Sequence, residues 1–420
     1  MRERTAPLDG NGSLDTSTPV LILKFVRGRL PHGAITVVRS LGRLGVDVYL
    51  VHDHHRAPVT RSRYIRDSYV WDGLTSQPED TIALLRSIGH TLGRAILIPV
   101  DDAATLFVAD RASDLRELFV FPDISPQTTS RLADKKSLHL MALDHDIPSP
   151  GATFPQSLED VKGFIKDAVF PVVVKSIDPK LLPLSTDTRS VVITHTAQEL
   201  LSHYTSVEVP GRPNHMLQEY IPGGPETVWM FNGYFDRDSE CLFGATGQKL
   251  RQHLPYTGMT TLGVCQENPE VASMARRLLK GIGYQGVVDL GFRHDRRDCR
   301  YKLLDINPRV GVTFRLFVGA EGLDVVRVLY LDLTGQKVPS STLRSGRKWL
   351  LETHDAMSAM VYHRDGRLSI GDWIRSYRGV QEAAIFALDD ITPALLVYLM
   401  YANRVLQRVL VRARSIVSKS

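Results

Sequence analysis

The chain has 420 residues, of which 43% are hydrophobic and 23% are charged, and its formal net charge is +5. These proportions are typical of globular domains, and the length suffices for roughly two to four packed units. The cysteines at positions 241, 265 and 299 form no C-x-x-C pair, which argues against a disulfide framework and a zinc site.

The excess positive charge comes from the C-terminal end of the chain. Residues 403–420 contain no acidic residue and five basic ones, Arg404, Arg408, Arg412, Arg414 and Lys419, which equal the net charge of +5. The rest of the chain is balanced, so we predict no nucleic-acid partner. The apolar segment 393–402 is too short to span a bilayer. We expect a helix packed on the protein body here, with peripheral contact of 393–420 to an anionic membrane surface as the alternative.

The N-terminal third predicts an open parallel α/β domain. Residues 1–18 are polar and lack the apolar stretch of a signal peptide, so we expect a disordered leader and a cytoplasmic protein. Strands at 19–25 and 46–53 flank a helix near 34–44 whose apolar residues follow helical spacing. No G-x-G-x-x-G is present in the connecting loop, which disfavours a dinucleotide site.

A further strand, 96–102, ends on two acidic residues, Asp101 and Asp102. Open α/β sheets place their sites at the carboxyl ends of strands, so either carboxylate is a candidate for substrate contact. Capping the predicted helix 103–119 is the alternative role for one of them.

A helix and a strand with a terminal lysine follow. Residues 133–150 predict a helix that begins after Ala133 and ends before Pro148. Residues 170–175, FPVVVK, predict a short β-branched strand that ends on Lys175. A lysine in that place can bind a nucleotide phosphate as a point charge, and the alternative is a solvated lysine at a sheet edge.

Residues 216–226, MLQEYIPGGPE, predict a strand followed by a Pro-Gly-Gly turn. Gln218, Glu219 and the backbone near Ile221 are candidates for hydrogen bonds to an adenine edge, and Glu226 for accepting from ribose hydroxyls. The alternative is an ordinary strand and turn with solvated acids.

Residues 301–309, YKLLDINPR, predict a strand whose polar side chains share one face. Side chains alternate along a strand, so Asp305, Asn307 and Arg309 lie on one side and apolar residues on the other. A carboxylate and an amide two residues apart suit a hard cation such as Mg²⁺, and the arginine suits a phosphate. The alternative is a strand that ends in a salt-bridged turn.

In this order the four segments resemble the ATP-grasp fold. The resemblance rests on Asp134-Lys135, the IPSP of 147–150, FPVVVK, QEYIPG of 218–223 and DINPR of 305–309. It implies an α/β (α+β) architecture: a pre-ATP-grasp domain at 19–124, a lysine-bearing subdomain at 125–210, a catalytic subdomain at 211–335 and an extension at 336–420. Within the family, the chain looks most like the carboxylate–amine ligase branch, which includes D-aspartate ligase-like proteins.

The resemblance also implies a mechanism with ATP and Mg²⁺ (or Mn²⁺) as cofactors. Lys135 and Lys175 would bind the phosphates. The nucleoside would be bound by Gln218, Glu219, Ile221 and Glu226. Asp289, Asp305 and Asn307 would hold the metal. Arg309 would steady the transferring phosphate, and Lys249, Arg251 and Arg315 are candidates for anchoring a small carboxylic acid that is then joined to an amine. A homodimer is the default expectation.

Two departures from the family pattern stand out. The lid segment 176–190 contains no glycine, so Lys180 or Arg189 would have to cover the phosphates by charge. The family's first acidic metal ligand falls on Gly291, and Asp289, two residues earlier on the same strand face, is the expected substitute. A carboxylase or kinase-like enzyme and a catalytically weak nucleotide-binding regulator therefore remain as alternatives to the ligase.

Overall fold

The computed structural model describes residues 14–27, 32–54, 56–123, 125–177, 191–209 and 211–417. Lys180, Arg189 and most of the predicted lid lie outside these ranges, as do Lys419 and most of the predicted leader. In the last helix, the side chains of residues 404–406 and 408–417 are outside the description as well.

The N-terminal domain is a parallel sheet with the strand order β3-β2-β1-β4-β5. Its strands are β1 Val20–Leu23, β2 Val48–His52, β3 Ile65–Val70, β4 Ala95–Pro99 and β5 Phe119–Val120. Its helices are α1 His32–Gly42, α2 Pro78–Leu92, α3 Asp102–Asp110 and α4 Ala112–Leu115. The predicted helix 103–119 is therefore wrong in extent. It breaks at Arg111, whose backbone leaves helical geometry, and the chain then returns to the sheet as β5.

The lysine-bearing subdomain has a small sheet with the order β6-β9-β7-β8. Its elements are α5 Pro126–Ala133, α6 Lys135–Asp144, β6 Ala152–Thr153, α7 Leu158–Ile165, β7 Val172–Ser176, β8 Val191–Thr194, α8 Ala197–Val207 and β9 His215–Glu219. The helix predicted to begin after Ala133 is confirmed. Asp134 caps it by accepting from the amide of Ser137 at 2.7 Å, which places Lys135 in the first turn.

The catalytic subdomain has a sheet with the order β14-β13-β10-β11-β12-β15-β16. Its first elements are β10 Val228–Phe235, β11 Cys241–His253, β12 Met259–Cys265, α9 Pro269–Gly281, β13 Gly286–Asp295, β14 Arg300–Asn307 and α10 Val325–Leu333. The C-terminal segment adds β15 Lys348–Leu350, α11 Glu352–Arg364, α12 Ile370–Ser376, β16 Val380–Ala383 and α13 Thr392–Val417. The segment after residue 336 therefore adds two strands to this sheet, because β15 pairs with β12 and β16 pairs with β15.

One apolar core joins the N-terminal domain, the catalytic subdomain and the C-terminal segment. It contains buried residues from all three, among them Ile22, Tyr234, Leu329, Trp349 and Val397. The buried side chains of α3, among them Ala104 and Val108, belong to a second core within the N-terminal domain. Asp102 at the start of α3 contacts Arg309 just beyond the end of β14, where the candidate site lies.

The first turns of α13 pack on the body, as predicted. Ala394 and Val397 are fully buried, and the hydroxyl of Tyr398 donates to Glu352 at 3.2 Å. Within the described part of the chain, no helix has the length and apolar character needed to cross a membrane.

Candidate functional site

The pairing of β13 with β14 brings three oxygen-bearing side chains to one face of the sheet. Asp289 lies opposite Asn307, and Gly291 lies opposite Asp305. Directly opposed residues of an antiparallel pair point to the same side with Cβ atoms roughly 5 Å apart, and diagonal neighbours are about 7–8 Å apart. The predicted set of Asp289, Asp305 and Asn307 therefore shares one surface.

Asp289 carries a buried carboxylate oxygen with no partner. Its Oδ1 atom is buried and receives no hydrogen bond from the described residues. A Cβ atom at Gly311 would come within 2.7 Å of Oδ2, so the glycine leaves room for this carboxylate. Burial raises the pKa of Asp289 to about 6, although the charges of Arg309 and Lys249 oppose the rise. An unpaired, buried carboxylate oxygen on this face is a candidate cation ligand.

Asp305 receives lysines from the neighbouring subdomain. It accepts a hydrogen bond from Lys135 at the start of α6. Burial by itself would raise the pKa of Asp305, but the positive charges of Lys135, Lys175 and Arg309 outweigh it and lower the pKa. Burial, together with the charge of Lys135, lowers the pKa of Lys175 to about 8. Two cations thus converge on the carboxylate from across the cleft.

Arg309 is held by the N-terminal domain. Its Nε atom donates to Asp102 Oδ1 at 2.6 Å, and its Nη2 atom donates to Asn307 Oδ1 at 3.3 Å. Asp101, in contrast, caps α3 by accepting from the amide of Ala104 at 2.9 Å. The structure thus separates the two acids: Asp101 caps the helix, and Asp102 reaches the site.

Gln218 lies in the cleft between the two subdomains with Lys135 and Lys175. All three line a small polar pocket that also includes His139. His139 was not among the predicted site residues, although it lies one helical turn after Lys135 and so shares its face. Its Nδ1 atom is 2.9 Å from the hydroxyl oxygen of Ser149, and burial lowers its pKa.

The other predicted nucleoside contacts already have protein partners. Glu219 accepts from the amide of Gly151 at 3.1 Å and pairs with Arg297. Glu226, about half exposed, accepts from the amide of Gly224 at 3.2 Å. Ile221 is buried. Their roles toward a nucleoside stay predictions.

Lys249 joins the group of charges around Asp289. Its ammonium donates to the carbonyl of Gly258 at 3.2 Å. Burial lowers the pKa of Lys249, while Asp289 and Asp305 act in the opposite direction. Asn232 was not predicted as a site residue; it is a fully buried amide opposite Asp289 on the neighbouring strand β10. Nothing in the local sequence VWMFNGYF marks it, because the neighbouring strand supplies its context.

Arg251 and Arg315 form ion pairs with carboxylates of other elements, and their role as substrate anchors stays a prediction. Arg251 donates to Asp355 of α11 from Nε at 2.9 Å and from Nη2 at 2.7 Å. Arg315 pairs with Asp324 at 2.6 Å and with Glu382 of β16 at 2.9 Å. Both guanidinium groups are buried and paired with carboxylates, and Nη1 of Arg251 also donates to the hydroxyl of Ser376 at 2.8 Å. Most of these partners belong to the C-terminal segment, far away in the sequence.

The residues on this face fit a hard divalent cation. Asp289, Asp305 and Asn307 offer the oxygen ligands that Mg²⁺ prefers. Among the described residues, no group of three or more His, Cys, Asp or Glu side chains converges in metal-binding geometry. A cation here would therefore complete its shell with water or with oxygens of a bound phosphate, which is usual for Mg²⁺.

Comparisons with known proteins agree with this geometry. No protein-family model matches the chain. Over 245 residues, 56% of this chain, it is 24% identical to the D-aspartate ligase of Enterococcus faecium, and the match covers 58% of that protein. The L-amino acid ligase structure from Bacillus licheniformis is 14% identical, with a TM-score of 0.55, over 76% of this chain and 75% of that one. A biotin carboxylase–β,γ-ATP complex from Campylobacter jejuni is 14% identical, with a TM-score of 0.60, over 78% and 74%.

The chain thus spans little more than half the length of the D-aspartate ligase that it matches. The structural likenesses are low in identity and show the fold. Together with the order of the sequence segments and the charges on β13 and β14, they lead to one conclusion. The chain has the ATP-grasp fold, and a D-aspartate ligase is among the proteins that it resembles in sequence.

Proposed function

We propose that the protein is an ATP-dependent ligase that joins a carboxylic acid to an amine and releases ADP and phosphate. The observation that carries the proposal is the set of opposed charges at the end of β14. There, Asp289 and Asp305 lie beside Arg309, and Lys135 and Lys175 approach Asp305 from the neighbouring subdomain across a cleft. Phosphoryl transfer needs mainly positioning and charge neutralisation, which such a set supplies.

The roles follow from position. Lys135 and Lys175 hold the ATP phosphates. Asp289, Asp305 and Asn307 would hold Mg²⁺, which would supply positive charge beside those phosphates. The acid's carboxylate oxygen attacks the γ-phosphorus and the bond to ADP breaks, which gives an acyl phosphate. Arg309 holds the negative charge at this step. The amine nitrogen then attacks the acyl carbon, phosphate leaves with its electron pair, and an amide remains after loss of a proton.

The second candidate is another ATP-grasp reaction, such as a carboxylase or a kinase-like transfer. The biotin carboxylase likeness supports keeping it, since its TM-score is as high as that of the ligase structure. The third candidate is a weakly catalytic regulator, which Gly291 favours. The unpaired oxygen of Asp289 and the intact Asp305, Asn307 and Arg309 oppose it. Dimerisation and peripheral membrane contact stay predictions.

ADP release with Mg·ATP against a panel of acids and amines tests the proposal. Hydroxylamine would serve as a general nucleophile, because it traps an acyl phosphate as a hydroxamate. Asp305→Ala is the blank and Lys166→Ala, an exposed position in the same fold, is the matched control. Acid-dependent ADP release with equimolar hydroxamate, lost only in Asp305→Ala, would support the ligase. Turnover that needs bicarbonate would favour the carboxylase, and tight ATP binding without turnover on any pair would favour the regulator.

A further inference from the structure

A cavity lies between the N-terminal domain and the catalytic subdomain, beside Arg309. Its walls come from α3, the linker after β5, the start of β13, the segment 308–310 and α10. Most of the lining side chains are apolar and buried, and they include Val108, Ala109, Phe121, Val287, Val310 and Leu329. We call it the Arg309 cavity.

The hydroxyl groups that line the Arg309 cavity are used within the protein, and the charged side chain that lines it, Arg309, is bound by Asp102 and Asn307. The hydroxyl of Thr105 donates to the carbonyl of Asp101 at 2.9 Å, and that of Thr129 donates to the carbonyl of Ser125 at 3.1 Å. Both hydroxyl protons are thus used within their own helices. Among the described residues that line the cavity, Arg309 carries the charge. A guanidinium at an apolar cavity matches an organic anion with one carboxylate and an apolar body.

The volume of the cavity limits the size of the apolar part of the ligand. Its volume is about 60 Å³. An apolar cavity of roughly 150 Å³ holds a benzene molecule, so this one is too small for an aromatic ring. It fits a short aliphatic group of a few carbon atoms.

We propose that the Arg309 cavity receives the side chain of the acid substrate, and that this acid is a monocarboxylate with a short aliphatic side chain. The inference rests on the proposed ligase function and names its substrate class. The acid's carboxylate binds the Arg309 guanidinium in competition with Asp102. The side chain of Asp102 is 56% exposed and can turn to solvent. Asn307 and Asp305 lie just before Arg309, on β14. A carboxylate bound to Arg309 would therefore lie beside the cations that bind the phosphates.

The same geometry argues against a dicarboxylic acid. A second carboxylate on the substrate side chain would enter an apolar space without a counter-charge, which is strongly unfavourable. The protein would therefore differ in substrate from the D-aspartate ligase that it resembles.

The test compares acids in the hydroxamate assay on the full-length protein. Valine and isobutyrate should exceed aspartate and succinate, and also phenylalanine, by at least tenfold in kcat/KM, because a methylene or a charge in an apolar pocket discriminates on that scale. Equal or faster turnover of the dicarboxylic acids would overturn the inference and leave the ligase proposal intact.

Two variants that change the cavity in opposite directions make the test specific. Ala109→Leu fills the space and should lower kcat/KM for valine about tenfold or more while sparing glycine. Val108→Ala enlarges it and should raise the relative rate of leucine. Ala103→Leu, on the same helix but outside the cavity lining, is the control and should leave the ranking of acids unchanged. An unchanged ranking in both cavity variants, with melting temperatures that confirm folding, would refute the assignment.

Absence of turnover with every acid would count against the proposed function instead. Calorimetric binding of isobutyrate then decides the inference separately. Saturable binding that Ala109→Leu abolishes would support the cavity as a carboxylate site, and no binding would overturn it.

Discussion

Two clusters of charged residues in this protein contain similar types of side chain but differ in how completely these side chains are paired. The buried cluster consists of Arg315, Asp324, Glu382 and Arg347. Asp324 accepts from Arg315 at 2.6 Å and from the hydroxyl of Ser40 at 2.6 Å, and Glu382 pairs with both arginines. These bonds join the N-terminal domain, the catalytic subdomain and the C-terminal segment.

The site cluster consists of Asp289, Asp305, Lys135, Lys175 and Arg309. Here the pKa of one carboxylate is raised and that of the other is lowered, and an oxygen of Asp289 lacks a partner. Carboxylates whose environments push their pKa values apart are typical of sites that do chemistry. The charged side chains of the buried cluster are thus paired with one another. Those of the site cluster are incompletely paired and lie beside a cleft.

The largest expected effect is on stability and comes from the buried cluster. Arg315→Ala leaves Asp324 and Glu382 buried without this counter-charge, so the free energy of unfolding should fall by roughly 3–5 kcal/mol. The matched variant Arg309→Ala should lower it by no more than about 1 kcal/mol, because its carboxylate partner is largely exposed. Urea unfolding of both variants measures the difference. If the Arg315→Ala protein had normal stability and a raised KM for the acid, the result would support Arg315 as a substrate anchor.

A smaller effect is expected on nucleotide binding. Lys175→Met removes a desolvated ammonium from the phosphate side of the site cluster. Charge-assisted hydrogen bonds contribute about 1.5–3 kcal/mol, so the affinity for ATP should fall roughly tenfold to a hundredfold. Stability should hold or rise, because burial already disfavours this charge. Calorimetry with ATP is the measurement and the exposed Lys166→Met is the control; equal affinities in the two variants would remove Lys175 from the site.

The third effect depends on pH and concerns Asp289. Its folded-state pKa of about 6 exceeds the usual value of about 4, so between these limits the folded state binds the proton more tightly. Stability from this group therefore falls as pH rises through the window, and the penalty is complete above pH 6. Without Mg²⁺, Asp289→Asn should be more stable than the parent protein by roughly 1–2 kcal/mol at pH 7.5, with a smaller difference at pH 5.

Urea unfolding across that pH range provides the check on Asp289→Asn. A difference that stays constant with pH, or a variant less stable than the parent at pH 7.5, would contradict the view that burial of this carboxylate destabilises the protein in Mg²⁺-free buffer.

The smallest effect is expected at the contact between the domains. Asp102→Asn weakens an ion pair whose acid is more than half exposed, so the free energy of unfolding should change by less than about 1 kcal/mol. Because Arg309 becomes freer to bind an incoming carboxylate, KM for the acid should fall by no more than about fivefold. A large loss of stability would show instead that Asp102 belongs with the buried cluster in its energetics. Initial-rate kinetics and a thermal melt measure both quantities.

The amino-acid sequence determined the parts of the site that lie on single elements. Alternation along residues 301–309 correctly placed Asp305 and Asn307 on one face of β14, and the predicted helix start after Ala133 placed Lys135 in the first turn of α6. Asp101 capped its helix as its position indicated. These features follow from local periodicity and local hydrogen bonds, which a short segment carries by itself.

Only the tertiary structure decided which charges are free to act. Arg251 and Arg315 resemble substrate anchors in sequence, yet carboxylates from α11 and β16 occupy them after the chain folds. Asp102 reached Arg309 because a shared core joins the N-terminal sheet to the catalytic subdomain and α3 packs on that sheet. His139 and Asn232 acquired their neighbours from other strands and loops. The physical reason is that pairing and desolvation depend on distances between segments that are far apart in the chain.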